Sequence, residues 1–249
     1  MSVTQPYYRT ARQLLDGSYK YGGNGRYVLH PLYAKDPKHY VRAYLLLQKD
    51  LEEIFDYVEP SDQNLHCYSY RIHELLLRAC VEVEANCKAI LVENGYSKGK
   101  GKDLDMTDYR KIEQSHKLSE FAVRVPTWSG ADDLRTPFVA WGAGNPLAWY
   151  QAYNATKHDR HTAFRNATFE HMLDAVCGCL IILSAQFIDE DYSSQDVRIV
   201  TGGPSDGTSE AIGGYFRVKY PQNWPASDRY DFDWTTLGKQ ANPFQQYPY

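Results

Sequence analysis

One segment of the chain, residues 149–171, concentrates side chains that can move protons or bind phosphate. Three of the eight histidines fall within it, beside lysine, arginine and asparagine. Histidine exchanges a proton near neutral pH, and arginine can hold a phosphate through its planar fork of donors. The side chains that form our candidate site are Asn154, Lys157, His158, Arg160, Arg165 and His171.

A continuous helix would align several polar residues of this segment. Asn154, His158, His161 and Arg165 follow one another at intervals of four, three and four residues. On a regular helix they would share one stripe, which either faces water or lines a site. His171 lies about 120° around such a helix from Arg165. Those two side chains can converge only through a helix break, long side chains or a dimer partner.

These groups suit the cleavage of RNA without a metal ion. In that reaction the neighbouring 2′-hydroxyl attacks the phosphorus, a base removes its proton, and a cation stabilises the phosphorane. Either His158 or His171 would be the base. Either Arg160 or Arg165 would hold the phosphate. A metal-dependent hydrolase that uses His158, His161 and a carboxylate is a weaker alternative, and we expect no metal and no other cofactor.

The rest of the sequence predicts a helical frame. Apolar residues recur at intervals of three and four over residues 39–58, and again over about 62–93 and 107–123. A further helical pattern runs from about 147 to 188, with room for one break. We therefore predict an all-α fold, a bundle of four or five helices between residues 39 and 190.

Two segments outside this bundle are irregular and rich in tyrosine, glycine and proline. Residues 1–38 are expected to form an N-terminal arm, and residues 191–249 a C-terminal extension. Residues 215–220 and 229–234 alternate like short strands, so they are candidates for a small β-hairpin. Because tyrosine is enriched at interfaces, these segments favour an alternative function. The protein would then be a non-catalytic helical module that binds a protein partner or a nucleotide.

Composition is that of an ordinary soluble protein. With 27 basic and 31 acidic residues the net charge is −4, which argues against a protein that coats nucleic acid but permits a local basic site. The N-terminus lacks the apolar core of a signal peptide, and the longest apolar run, residues 175–183, is too short to span a bilayer. Five cysteines, an odd number, are typical of a reduced protein. We expect a cytoplasmic location and no membrane partner.

Two patterns in the chain resemble known proteins. Arg165-Asn166-x4-His171 on a helical bundle is similar to the signature of the HEPN superfamily, an arginine followed by a polar residue and, after four to six residues, a histidine. Residues 78–91 also resemble the acidic, amphipathic helix of that superfamily. Arg110 and His116 have the same spacing but lack the polar follower. A second pattern resembles one found in a group of bacterial helical proteins. It consists of Trp149, Tyr150, Tyr153, Asn154, Lys157, His158 and Arg160.

The HEPN resemblance, which covers about residues 60–190, implies both fold and activity. Members are all-helical, commonly dimeric, and often metal-independent endoribonucleases of bacterial toxin–antitoxin, antiphage and CRISPR systems. The resemblance thus implies an RNA substrate and a homodimer or another protein partner. A homodimer would place two copies of the long helices side by side and form a shared cleft.

Overall fold

A computed structural model describes residues 2–99, 101–192 and 206–249. Most of its regular structure is helical. The helices of the described residues are α1 (Pro37–Phe55), α2 (Tyr70–Glu93), α3 (Met106–Tyr109), α4 (Glu113–His116), α5 (Val139–Gly142), α6 (Ala148–His158), α7 (Arg160–Ala163), α8 (Phe169–Phe187) and α9 (Trp234–Leu237). The four longest, α1, α2, α6 and α8, pack together as the bundle that the sequence predicts.

The last of these four, α8, is the central helix of the bundle. It packs against α1, α2 and α6, and most of its side chains are buried. By length and composition α8 could cross a bilayer, but 83% of its apolar window is buried inside the protein. A helix that is apolar all round is stable in water only when neighbouring helices cover it. The predicted buried helix at residues 175–183 is confirmed.

Two of the bundle helices, α2 and α8, run parallel. Just before them, Tyr68 forms an isolated bridge with Thr168. Further along, the Gln186 side chain donates a hydrogen bond to the Asn86 oxygen at 3.0 Å. The early residue of one helix thus meets the early residue of the other, and the late residue meets the late one. The two helices therefore start at the same end of the bundle.

The helix α6 runs in the opposite direction to α2. Near the start of α6, the Tyr150 hydroxyl donates to a Glu84 carboxylate oxygen at 2.7 Å. Just past the end of α6, the Arg160 guanidinium lies 6.0 Å from the centroid of the Tyr70 ring, at the start of α2. The end of α6 and the starts of α2 and α8 therefore meet at one end of the bundle.

A small antiparallel sheet accompanies the helices, so the all-α prediction is only partly right. Its strands are β1 (Ala122–Arg124), β2 (Leu134–Arg135), β3 (Ser209–Glu210) and β4 (Arg217–Lys219), in the order β2-β1-β4-β3. The pairing of β1 with β4 joins parts of the chain that are far apart in sequence. A C-terminal hairpin is present, but β4 pairs with β3 and β1 and not with the predicted partner at 229–234.

Two predicted helices have the wrong bounds. The helix predicted over 107–123 is divided into α3, α4 and short 3₁₀ turns. It ends early because Lys117 adopts a left-handed φ of 52° and terminates α4. The helix predicted from about residue 62 begins only at Tyr70. Ser69 is its N-cap, since its hydroxyl accepts a hydrogen bond from the Ile72 N–H at 3.2 Å.

The N-terminal arm and the C-terminal extension pack on each other. Val3 and Leu14 both form bridges with Tyr230, whose hydroxyl donates to the Thr10 carbonyl oxygen at 2.8 Å. Buried residues from the arm, the bundle and the extension form one hydrophobic core. Residues 193–205 of the predicted extension lie outside the described residues.

Candidate functional site

The candidate segment is interrupted at two places between α6 and α8, first at Asp159 and then at the turn before α8. Asp159, with φ −139° and ψ 74°, ends α6 and caps α7 by accepting a hydrogen bond from the Thr162 N–H at 3.2 Å. A 3₁₀ turn over Phe164–Asn166 follows, and Thr168 then caps α8. The prediction of one continuous helical stripe through Asn154, His158, His161 and Arg165 is therefore wrong.

The six predicted site residues are distributed along this broken segment. Asn154 is half-buried in α6, and Lys157 and His158 are exposed in its last turn. Arg160 and Arg165 are exposed beyond it, and His171 is half-buried in the first turn of α8. Within residues 2–99, 101–192 and 206–249, the side chains of Asn154, His158 and Arg165 make no hydrogen bond or ion pair. They are free to contact a ligand.

The imidazole of His171 has one nitrogen fixed by the backbone. Its Nδ1 lies 2.7 Å from the Asn166 carbonyl oxygen. A carbonyl oxygen only accepts, so Nδ1 carries the proton and, in the neutral ring, Nε2 has the free lone pair. The backbone N–H of His171 donates to the Thr168 hydroxyl at 3.3 Å. The turn before α8 thus holds a potential base six residues after Arg165.

Lys157 is a cation held against a buried ring. Its Nζ lies 3.1 Å from the Tyr153 hydroxyl oxygen and 5.0 Å from the centroid of that ring. The hydrogen bond to Tyr153 raises the pKa of Lys157, so the ammonium group stays charged at neutral pH. A positive charge in the last turn of a helix is also favoured by the helix dipole.

The nearby carboxylates are engaged elsewhere. The carboxylate of Asp159 caps α7, and Glu170 accepts from Arg135 at 3.3 Å. Arg135 also donates through Nε to Asp174 at 2.8 Å, and burial raises the pKa of Asp174. Among the described residues, no carboxylate lies within ion-pair distance of Lys157, Arg160 or Arg165. These three side chains therefore have no ion-pair partner in the described ranges, although the charge of the Glu84 carboxylate also raises the pKa of Lys157 from a longer distance.

Sequence reasoning missed a group of aromatic rings beside these cations. Tyr70 and Tyr68 lie with their ring centroids 4.7 and 5.7 Å from that of Phe164. His73 lies in the first turn of α2. The centroid of its imidazole ring is 5.6 Å from that of Phe164. The sequence signal for this group is weak. Tyr68 precedes α2 and Tyr70 is its first residue, and apolar periodicity carries no information at a helix end.

His73 is a buried histidine with an unused nitrogen. It is 4% exposed, and its Nε2 has no hydrogen-bond partner in the described part of the chain. Burial and the positive charge of Arg160 lower the pKa of His73, so the ring is neutral. It lies under Phe164, at the end of the bundle where Arg160 and His171 are placed.

The second Arg–His pair of matching spacing has a structural role. His116 is fully buried, with Nε2 2.8 Å from the Arg9 carbonyl oxygen and Nδ1 2.7 Å from the Ser115 hydroxyl. Arg110 instead donates to the Gly144 carbonyl oxygen at 2.5 Å. His116 therefore joins the N-terminal arm to the body, while Arg110 contacts the loop before α6, and the two residues do not share a hydrogen-bond partner.

Metal-ligand side chains are not gathered in the described ranges. No group of three or more His, Cys, Asp or Glu side chains could hold an ion there. His158 and His161 lie on different helices, α6 and α7, with the break at Asp159 between them. The metal-dependent alternative therefore gains no support from these residues.

No family model, curated protein or solved structure matches this chain.

Proposed function

We propose that this protein is a metal-independent endoribonuclease whose active site is the junction between α6 and α8. One observation carries the proposal. The Nδ1–H of His171 is held by the Asn166 carbonyl oxygen at 2.7 Å, which leaves Nε2 free to act as a base, and Asn166 directly follows the unpaired Arg165 in the chain. Because a 3₁₀ turn and the cap of α8 separate Arg165 from His171, the 120° separation of an ideal helix does not apply to them, which supports their acting at one site.

Each residue has a defined role in the proposed reaction. Nε2 of His171 removes the proton from the 2′-hydroxyl, whose oxygen then forms a bond to the neighbouring phosphorus. The bond from phosphorus to the 5′-oxygen breaks, and that oxygen takes a proton from water. Arg160 and Arg165 stabilise the charge on the phosphorane oxygens. The products are a 2′,3′-cyclic phosphate and a 5′-hydroxyl.

The electrostatics of the junction support an anionic ligand. Lys157, Arg160 and Arg165 have no ion-pair partner in the described ranges, although the whole chain has a net charge of −4. A local excess of positive charge on an acidic protein attracts a phosphate backbone to one place. In this proposal Asn154 and His158 flank the path of the strand along α6.

The alternative, a helical module that binds through its aromatic arms, has less support. Tyr27, Tyr33 and Tyr230 of the arm and the extension are fully buried and pack on one another. Those rings are therefore not available to a partner.

The setting of the enzyme is part of the proposal. All five cysteines are free thiols, which suits a reducing cytoplasm. A homodimer or a protein partner, and a role in antiviral defence or in a toxin–antitoxin pair, follow from the HEPN resemblance alone.

The test of this proposal is the chemistry of the products. A labelled RNA is incubated with the protein and EDTA, alongside the same RNA with a single 2′-deoxy nucleotide at the cleavage position. We expect cleavage of the first RNA only, with 2′,3′-cyclic phosphate and 5′-hydroxyl ends. Cleavage at the 2′-deoxy position, or products with 5′-phosphate ends, would show that the proposed mechanism is wrong.

A further inference from the structure

Three aromatic side chains form a partly exposed surface at the end of the bundle. We call Tyr68, Tyr70 and Phe164 the aromatic platform. Tyr70 is 63% exposed and Tyr68 44% exposed, although both rings contact Phe164. Burial of a ring is favourable, so exposed rings that cluster are available for a ligand.

Positive charge borders this platform. The Arg160 guanidinium lies 6.0 Å from the centroid of the Tyr70 ring, and Arg165 directly follows Phe164 in the chain. Rings bind the flat faces of bases, and cations bind phosphates. A surface that alternates the two is the arrangement by which proteins hold single-stranded nucleic acid.

The platform is held in place by the elements beneath it. Tyr70 is the first residue of α2, which Ser69 caps, and Tyr68 is paired with Thr168. Phe164 rests on the buried ring of His73. These contacts fix the rings before any ligand arrives, which reduces the entropy lost on binding.

We propose that the aromatic platform binds unpaired nucleobases of a nucleic-acid strand by stacking, while Arg160 and Arg165 hold the adjoining phosphates. Trp141 and Trp149 do not serve this purpose, because both are buried among other rings. A base in a duplex is already stacked on its neighbours, so the platform selects single strands.

The position of the platform connects it to the proposed active site. Tyr68 pairs with Thr168, whose hydroxyl accepts the N–H of His171. A strand whose base rests on Tyr68 or Tyr70 therefore passes its sugar–phosphate close to His171. In this respect the inference rests on the proposed function, whereas the stacking itself does not.

The test measures binding without cleavage. The probe is a fluorescently labelled 2′-O-methyl oligonucleotide of mixed sequence, which lacks the attacking hydroxyl, and its anisotropy is followed with the full chain. We expect Tyr70→Ala to weaken binding about 5- to 150-fold, and Tyr68→Ala to weaken it in the same direction. Tyr70→Phe retains the ring and binds within about threefold of wild type. A duplex of the same length binds weakly and is insensitive to Tyr70→Ala.

Tyr57 provides the matched control. It is 89% exposed, lies between Asp56 and Glu59 in the chain, and its ring contacts no other ring or cation in the described residues. Tyr57→Ala therefore removes an exposed tyrosine without changing affinity. Circular dichroism of each variant verifies that the fold is retained.

The failure of the platform and the failure of the nuclease give different results. Wild-type binding in Tyr70→Ala and Tyr68→Ala, equal binding of the duplex, or no binding of the single strand overturns the platform. Tight, Tyr70-dependent binding by a protein that never cleaves RNA would support the platform and overturn only the proposed nuclease.

Discussion

The Nδ1 atom of His171 lies 2.7 Å from the backbone carbonyl oxygen of Asn166, across the turn that precedes α8. This contact exists because the chain does not continue as one α-helix from Asp159 to Thr168 but forms α7 and then a 3₁₀ turn before α8 begins. On an ideal helix Arg165 and His171 would point about 120° apart. The 3₁₀ turn and the cap before α8 remove this fixed angle between Arg165 and His171. The same turn presents the Asn166 carbonyl oxygen that sets the tautomer of His171.

The cap of α8 should affect both stability and activity. Thr168→Ala removes the hydroxyl that accepts the His171 N–H, so we expect a loss of about 1 kcal/mol in the free energy of unfolding. The same change loosens the turn that holds His171, so RNA cleavage should fall by several-fold. Urea unfolding and initial cleavage rates measure the two effects. Thr168→Ser keeps the cap and should restore both, and equal behaviour of the alanine and serine variants would contradict this role.

Arg160 and Arg165 should each contribute to the salt dependence of binding. For a single strand, each phosphate contact contributes about 0.7 to the slope of log affinity against log salt. Arg160→Ala and Arg165→Ala are therefore expected to lower that slope by about 0.7 each, measured by anisotropy from 50 to 300 mM salt.

Arg42 is the control for these substitutions. It is exposed on α1, in the half of that helix away from the junction. Arg42→Ala should leave the slope unchanged. A slope that falls as much for Arg42→Ala as for Arg165→Ala would mean that the charge of the whole protein, and not the junction, attracts the strand.

Stability should decrease in mild acid because His116 is buried in its neutral form. Burial lowers the pKa of His116 from 6.5 to about 4. Between these values the unfolded chain binds a proton that the folded chain does not, so stability is lost as the pH falls. We expect His116 to account for a loss of about 2 to 3 kcal/mol between pH 7.5 and 4.5. The lowered pKa of His73 acts in the same direction.

Urea unfolding of wild type and His116→Gln at both pH values isolates this contribution. The variant is less stable at pH 7.5, since the hydrogen bonds to Arg9 and Ser115 change, but its stability should depend less on pH. The same loss on acidification in both proteins would assign the acid sensitivity to other groups.

Local patterns predicted the elements that depend on local sequence. Apolar spacing predicted α1 and the buried α8, and the residues of the candidate segment pointed to the end of α6. The sequence left room for one break between residues 147 and 188 but did not locate it at Asp159, because an aspartate that caps a helix has no apolar period to reveal it. The pairing of β1 with β4 depends on contacts between distant segments. The aromatic platform is likewise assembled from Tyr68, Tyr70 and Phe164, which meet only in the folded protein.

The measurement that tests the account most directly is cleavage of mixed cellular RNA in EDTA by wild type, His171→Ala and His158→Ala. The protein is used at micromolar concentration, high enough to populate the proposed dimer, and each variant is verified as folded by urea unfolding. We predict that wild type cleaves, that His171→Ala loses at least about 100-fold in rate, and that His158→Ala loses less than about tenfold. Cleavage by His171→Ala at the wild-type rate, or no cleavage by the folded wild type, would contradict the account.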